Sequence, residues 1–429
     1  MKKTVFLLLV LLLAGMCAVC AAEDVTVWFP AASGAVNTGF SYALEIRSNA
    51  APETDVVITL KNSQYAETAQ VTLAAGQTSA MATVPESWLQ EKATLSVVFE
   101  AGEGYQAKKD AKHKLQVYPL PGAKMEKSPF FGFLGKSMKF NVTLTQTGNI
   151  TKDRNVFQLR NQNGLVLSEK AWKSGKTLTF SFDVTADMLG KNLVDVYLDG
   201  VRISDNPGYI AIGDTEKPVV KTVDTKAPYM AVTLDCGFAG RQTDDVLAVL
   251  EKHNITCTFF MTGYFLRTFP DCVQKIAAAG HEIGNHTNTH PHLTQIGTYD
   301  MMRQIQRPTE DIAEMLGRKT TLMRPPYGDV NKYVTALTRA EGQEVIMWTI
   351  DSHDWDTAYD QSKVEKRVKK DVGPGTIILF HLDGYYTPEV LDQVLPYYKN
   401  ELGLQPVTVT QLLSMEGQGP DARLPEEAE

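Results

Sequence analysis

The apolar rhythm of this chain changes once, and that change limits the fold more than any other feature. Up to about residue 215, hydrophobic side chains recur at every second position. Tyr42, Leu44 and Ile46 form one such run, Met138, Phe140, Val142 and Leu144 a second, and Leu178, Phe180, Phe182 and Val184 a third. Period two is the signature of strands with one face buried. Asp199-Gly200 between two apolar runs adds a hairpin turn signal. Beyond residue 229 the pattern becomes short apolar runs alternating with helical stretches. Residues 230–234 and 255–261 are predicted strands, 243–253 a helix begun by Thr243, and 271–279 a helix stopped near Gly280. Residues 344–350 and 376–380 are further strand-like runs. Strand–helix alternation points to a parallel α/β sheet or barrel.

Breaks in composition divide the chain. The Pro119-Leu-Pro-Gly122 stretch separates two β modules, 23–120 and 121–214, each near the size of an immunoglobulin-like sandwich. A polar linker, 215–228, carries Pro218 and Pro228 and precedes the α/β region, 229–415. The acidic end, 416–429, reads as a disordered tail. With 429 residues and 43% hydrophobic content, the chain can bury several cores. The expected fold is therefore multidomain, with two all-β immunoglobulin-like sandwiches followed by an α/β domain. Trp28, Trp88 and Trp172 in the front modules are expected to pack in cores rather than bind sugar.

Lys2 and Lys3, an apolar run over 5–13, and small residues at Ala18, Ala21 and Ala22 have the layout of a secretory signal peptide spanning 1–22. An uncleaved anchor is the alternative, although the run is short for a membrane span. The expected location is secreted or cell-surface associated. Export leaves three cysteines, Cys236, Cys257 and Cys272, an odd number that cannot make a complete disulfide framework. The net charge of −8 falls to −10 on loss of Lys2 and Lys3, and no basic run interleaved with aromatics occurs. Nucleic acid is not an expected partner.

Seven of the eight histidines lie in the second half, four of them between His281 and His292. His286 and His290 stand four apart; on a helical turn both imidazoles could hold one metal ion. Elsewhere apolar runs end on titratable groups: Asp235 after 230–234, Asp351 after 344–350, and His381 after Phe380. Three such endings fit a shared site at the carboxyl ends of parallel strands.

These residues fall in a series of motifs. In order they are Thr233-Leu-Asp-Cys-Gly237, Gly280-His-Glu-Ile-Gly-Asn-His-Thr-Asn-Thr-His290, Arg324-Pro-Pro-Tyr-Gly328, Asp351-Ser-His-Asp-Trp355 and Leu379-Phe-His381. The segment 229–415 thereby resembles the catalytic domain of the polysaccharide deacetylases, the NodB-homology or family 4 carbohydrate esterases. The resemblance implies a distorted (β/α) barrel with a divalent metal at its mouth, zinc by expectation, cobalt or another divalent ion as alternatives. It implies Asp235 as general base, His381 as general acid oriented by Asp351, and Arg324 as a positioning cation. It places an oxyanion-binding N–H at Tyr327 and pocket walls at Trp355 and Leu379. The metal ligands implied are His286, His290 and position 236.

Position 236 departs from the family pattern, which has Asp there. Three readings stay open: a Cys236 thiolate as third ligand, which favours zinc; a metal held by the two histidines and water; or a degenerate, glycan-binding site. The expected activity is N-deacetylation of peptidoglycan or a chitin-like glycan. The alternatives are an O-acetyl xylan esterase and a non-catalytic wall-binding protein. A polysaccharide partner, cell-surface association through the front modules and a monomeric state complete the expectation.

Overall fold

Alternation along the front strands buries one face of each. In Ser137–Thr145 every second side chain is buried. The antiparallel register against Thr177–Asp183 pairs Met138 with Phe182, Phe140 with Phe180 and Val142 with Leu178. Such cross-strand pairs and their burial, worth about 1.5–3 kcal/mol per large side chain, hold these sheets together. The computed structural model describes residues 24–151 and 154–424, so the signal-peptide reading over 1–22 lies outside the described residues.

Between Val25 and Tyr118 the strands form a four-stranded and a five-stranded sheet. Between Gly122 and Gly213 they form a three-stranded and a six-stranded sheet. The sheets of both halves contribute to one continuous apolar core, through Ile46, Leu95 and Leu115 in the first half and Phe140, Phe157 and Val196 in the second. The Asp199-Gly200 turn joins Gly190–Leu198 to Val201–Arg202 with φ 47 and 85, the left-handed pair a two-residue hairpin needs. Trp88 is wholly buried, and Trp172 packs partly buried against the same core. Trp28 is half-buried, with the Lys108 ammonium 5.7 Å above its ring.

The second half is one parallel sheet. Its strands are β1 (Tyr229–Cys236), β2 (Thr258–Met261), β3 (Glu282–Asn285), β4 (Leu322–Met323), β5 (Glu344–Val345), β6 (Ile350–Asp351), β7 (Ile377–His381) and β8 (Gln405–Val407). Their spatial order is β5-β4-β3-β2-β1-β7-β6, with β8 beside the start of β1. The run 344–350, read from the sequence as one strand, is split into the two edge strands β5 and β6. Only residues 346–349 join them, and four residues cannot bridge the width of a flat seven-stranded sheet, about 29 Å. The sheet must therefore curl until its edges approach, as in a barrel.

Helices α1 (Thr243–Lys252), α2 (Gly263–Thr268), α3 (Pro270–Ala278), α4 (Thr298–Leu316), α5 (Lys332–Ala340), α6 (Gln361–Lys369), α7 (Thr387–Pro396) and α8 (Val409–Leu413) alternate with the strands. Thr243 is the first helical residue rather than the cap; its hydroxyl donates to the Gly240 carbonyl. None of the helices among the described residues is long and apolar enough to cross a membrane.

Two segments that composition marks as loose are packed. In 215–228, Val220 bridges Ile346, the Val223 N–H donates to the Gly375 carbonyl, and Val223 and Ala227 are buried under the sheet. In the acidic end, 416–424 runs along the same base: the Gly417 N–H donates to the Asp224 carbonyl, and Ala422 and Leu424 pack on that core. Backbone pairing, the Thr222 and Thr225 hydroxyls and a few apolar side chains together hold these polar stretches. Residues 425–429 lie outside the described part.

The second β module is docked on α5. Tyr333 meets Phe131 edge-on at 5.1 Å between ring centroids, and Glu341 accepts from the Tyr209 hydroxyl at 2.7 Å. At the centre of this contact a Cβ on Gly213 would lie 2.7 Å from the Ala336 Cβ. Gly213→Val is thus expected to force the helix off the sheet at a cost of about 1–3 kcal/mol. A lower melting temperature with faster proteolysis between 214 and 221 would register it; an unchanged digest would show that the junction gives freely.

Candidate active site

Parallel strands deliver their carboxyl ends to one rim, and this chain places its chemistry there. Register sets Asp235 of β1 beside His381 of β7, and Leu379 of β7 beside Asp351 of β6. His286 follows β3 directly and Arg324 follows β4. Above them opens a cavity of about 430 Å³. It is lined by Asp235, His286, His290, Tyr327, Asp351, Trp355, Leu379 and His381, eight of the ten residues singled out from the sequence. Arg324 lies beneath the floor, wholly buried, and Cys236 is not part of the lining.

Arg324 organises the floor. Its guanidinium donates to Asp235 Oδ1 at 2.8 Å, to the Thr233 hydroxyl at 2.9 Å and to the Met347 carbonyl at 3.1 Å, and it lies 4.2 Å above the Phe260 ring. A buried cation so fully bonded can point in only one direction. Burial alone would raise the Asp235 carboxyl. The Arg324 charge, helped by His381, outweighs burial and holds it below the usual carboxylate range.

His381 is driven the opposite way. Burial would lower its pKa, but Asp354 and then the Asp235 and Asp351 charges raise it to about 9. The carboxylate that holds it is Asp354, not Asp351 as the sequence suggested. Asp354 Oδ1 lies 2.7 Å from His381 Nδ1, while Oδ2 accepts from the His381 backbone N–H and the Thr387 hydroxyl. His353, in the left-handed region at φ 58, turns the chain after β6 so that Asp354 is tucked under β7. Asp351 instead accepts from the His353 N–H and stays on the pocket wall.

His286 and His290 are brought together, though not by a helix. The segment after β3 is a loop in which Thr287 (φ 66) and His290 (φ 62) are left-handed, and the ring centroids end 4.8 Å apart. His286 Nδ1 sits 2.8 Å from the Arg324 carbonyl, which assigns its proton there and leaves Nε2 facing Asp235 Oδ2 at 3.4 Å. Burial lowers both imidazoles, His290 to about 4, with His286 adding to the effect. Both are neutral near pH 7 and carry free lone pairs, as metal ligands must.

Cys236 does not join them. Along β1, Ala231 and the buried Thr233 and Asp235 alternate with Met230, Val232, Leu234 and Cys236, which belong to the apolar layer shared with Cys257 and Phe259. The strand keeps its pleat through Cys236, so the thiol faces away from the side that carries Asp235. Burial, with Asp235 and Asp383 nearby, pushes the thiol well above its ordinary pKa. Among the described residues no group of three or more His, Cys, Asp and Glu could hold a metal ion. The donor set fits an ion held by two imidazoles with its other positions left to solvent and substrate, and the sulfur argument for zinc falls away. Cys236→Ala is expected to leave metal stoichiometry unchanged and to cost about 1–2 kcal/mol of stability as a small cavity. Metal analysis beside a denaturation curve checks this, and loss of bound metal would make the thiol a ligand after all.

Sequence reasoning missed Phe238, Trp348 and Asp383 in the lining as well as the role of Asp354. Phe238 directly follows the first motif and Trp348 stands three residues before the fourth, and only proximity to the strand ends could have flagged them. Asp383, two residues past His381, lay within reach of the same argument that selected His381.

A sequence family described as polysaccharide deacetylase matches residues 222–346. The peptidoglycan-N-acetylmuramic acid deacetylase PdaA of Bacillus subtilis (strain 168) is 30% identical over 181 residues, 42% of this chain and 69% of its own length. The peptidoglycan-N-acetylmuramic acid deacetylase PdaC of the same organism is 32% identical over 196 residues, 46% of this chain and 41% of its own. The solved structure of Bacillus subtilis PdaA, a family 4 carbohydrate esterase, is 28% identical and covers 46% of this chain and 85% of that one, with a TM-score of 0.43. The chain thus spans between 41% and 69% of the length of these two curated relatives.

Proposed function

Because the chain belongs to the polysaccharide deacetylase family, we propose that it is an exported hydrolase removing the N-acetyl group from amino sugars of a peptidoglycan-type glycan. The observation that carries this reading is the opposed charge state of two groups in register across one cavity. Asp235 is held deprotonated by Arg324, and His381 is held protonated by Asp354. A base and an acid poised this way at the same pH are what amide hydrolysis needs.

In the proposed reaction the Asp235 carboxylate takes a proton from water as the water oxygen bonds to the acetyl carbon. The carbonyl becomes a tetrahedral oxyanion, with the Tyr327 backbone N–H as its donor at a left-handed turn (φ 59). His381 then gives its proton to the sugar nitrogen, the C–N bond breaks, and acetate and a free amine leave. Trp355 and Leu379 would enclose the acetyl methyl. His286 and His290 would hold a divalent ion, which when bound polarises the carbonyl and acidifies water. The names of the relatives, N-acetylmuramic acid deacetylases, favour peptidoglycan as the polymer.

The signal segment 1–22 directs export, two immunoglobulin-like modules over 23–120 and 121–214 stand in front, and 229–415 works as a monomeric catalytic unit. Acetate release from peptidoglycan and from N-acetylglucosamine oligomers, with zinc, cobalt or no metal added, tests the activity. No acetate from any substrate under any metal would overturn it.

A further inference from the structure

A second cavity, of about 510 Å³, shares a wall with the active pocket: Asp351 at the end of β6 lines both. Its other side is α6 and the residue after it. Lys363, Lys366, Arg367 and Lys370 line it, spaced i, i+3, i+4, i+7, and therefore fall on one helical face. Val364 and Val368 anchor the opposite side in the barrel core. Two carboxylates, Asp351 and Asp371, face the four cations, on a chain whose net charge is −8.

A cationic helix face is ordinarily a solvated surface, but two features separate this one. Arg367 Nε donates to the Asp351 carbonyl, which fixes the helix to the rim of the active pocket. Lys366 is exposed and makes no ion pair among the described residues, while Lys370 is 78% exposed with its nearest carboxylate 3.9 Å away. Lys363 donates to the Ala358 carbonyl with its nearest carboxylate, Asp360, also 3.9 Å away, so the three lysines keep charge that no close ion pair takes up. It lies in a concave groove contiguous with the place where an N-acetyl sugar would react.

We propose that this groove is a subsite for a carboxylate on the glycan beside the reacting sugar. Resting on the deacetylase reading, this makes the substrate an acidic polymer rather than a neutral chitin-like one. The carboxylate has two sources in such a polymer: an ether-linked acid on the sugar itself, or an acidic peptide attached to it. Either would be drawn by the same long, flexible ammonium groups, an attraction screened over about 10 Å at 0.1 M salt.

The test uses the full mature chain and the variant Lys363→Gln/Lys366→Gln/Lys370→Gln, none of which touches the reacting groups. Three substrates are compared: N-acetylglucosamine oligomers, peptidoglycan strands stripped of peptide, and intact peptidoglycan. The expected result is a KM about tenfold higher on acidic substrate, with kcat unchanged and both constants unchanged on the neutral oligomer. Added salt should reproduce the effect in the unaltered protein. A rise on stripped strands assigns the sugar acid, and a rise on intact peptidoglycan alone assigns the peptide. An equal change on the neutral oligomer, or no change on any substrate, overturns the subsite. If the unaltered chain releases no acetate, the deacetylase reading fails separately. Salt-sensitive pelleting with peptidoglycan but not chitin, lost in the variant, then supports the groove, and equal pelleting of both proteins overturns it.

Discussion

Asp235→Asn is expected to lower kcat/KM for acetate release by about a thousandfold while leaving the protein folded. The side chain keeps its shape, and its carbonyl still accepts from Arg324, which also retains Thr233 and the Met347 carbonyl. What disappears is the negative charge that accepts the water proton. Asp235→Ala is the informative contrast. It removes the acceptor as well as the charge, so the wholly buried guanidinium loses its partner altogether, a loss of about 3–5 kcal/mol, and this variant should melt earlier than the Asn variant as well as fail. The folded Asp235 carboxyl is held below its ordinary pKa, so its contribution to stability is present above that ordinary value. It is lost as pH falls through the folded value, below about pH 4. A circular dichroism melt beside an acetate assay separates the cases. Near-normal acetate release from a well-folded Asn variant would show that Asp235 is not the base.

Much of this arrangement could be read from residue order because parallel strands deliver their ends to a common rim whatever their packing details. A titratable group closing an apolar run is therefore placed by topology, and Asp235, Asp351 and His381 were found on that ground alone. What the sequence hid depends on backbone conformations that no residue type announces. His353 carries a Cβ yet sits at φ 58, and that single turn decides whether Asp351 or Asp354 reaches His381. Thr287 and His290 are left-handed too, so a pair four apart converges through a loop instead of a helix. Cys236 shows the converse: motif position suggested a ligand, whereas the uninterrupted pleat of β1 turns the thiol into the apolar layer. Residues 215–228 and 416–424 read as loose because their side chains are polar. They are held by backbone hydrogen bonds, which composition does not record, and by a few apolar side chains such as Val223 and Ala227.

The second large effect concerns the acid. Asp354 is 1% exposed and spends both oxygens on His381, on its ring and on its backbone N–H, with Thr387 as a third donor. Asp354→Asn removes the charge that raises His381 and, with one oxygen exchanged for an N–H₂, sets a donor against another donor. His381 should fall from about 9 toward its ordinary value near 6.5. At pH 8 most of the imidazole would then be neutral and unable to protonate the leaving amine. The expected loss is about 10–100-fold at pH 8, shrinking toward pH 6 as the imidazole recharges. A raised histidine adds stability that is complete below about 6.5 and fades as pH climbs through about 9, so the unaltered protein should melt progressively lower across that window. The variant, which has little of this contribution to lose, should show a flatter dependence. A structural role for Asp354 alone would lower the rate equally at every pH, whereas an alkaline limb that moves from near 9 toward 6.5 identifies the carboxylate as the group that keeps His381 charged.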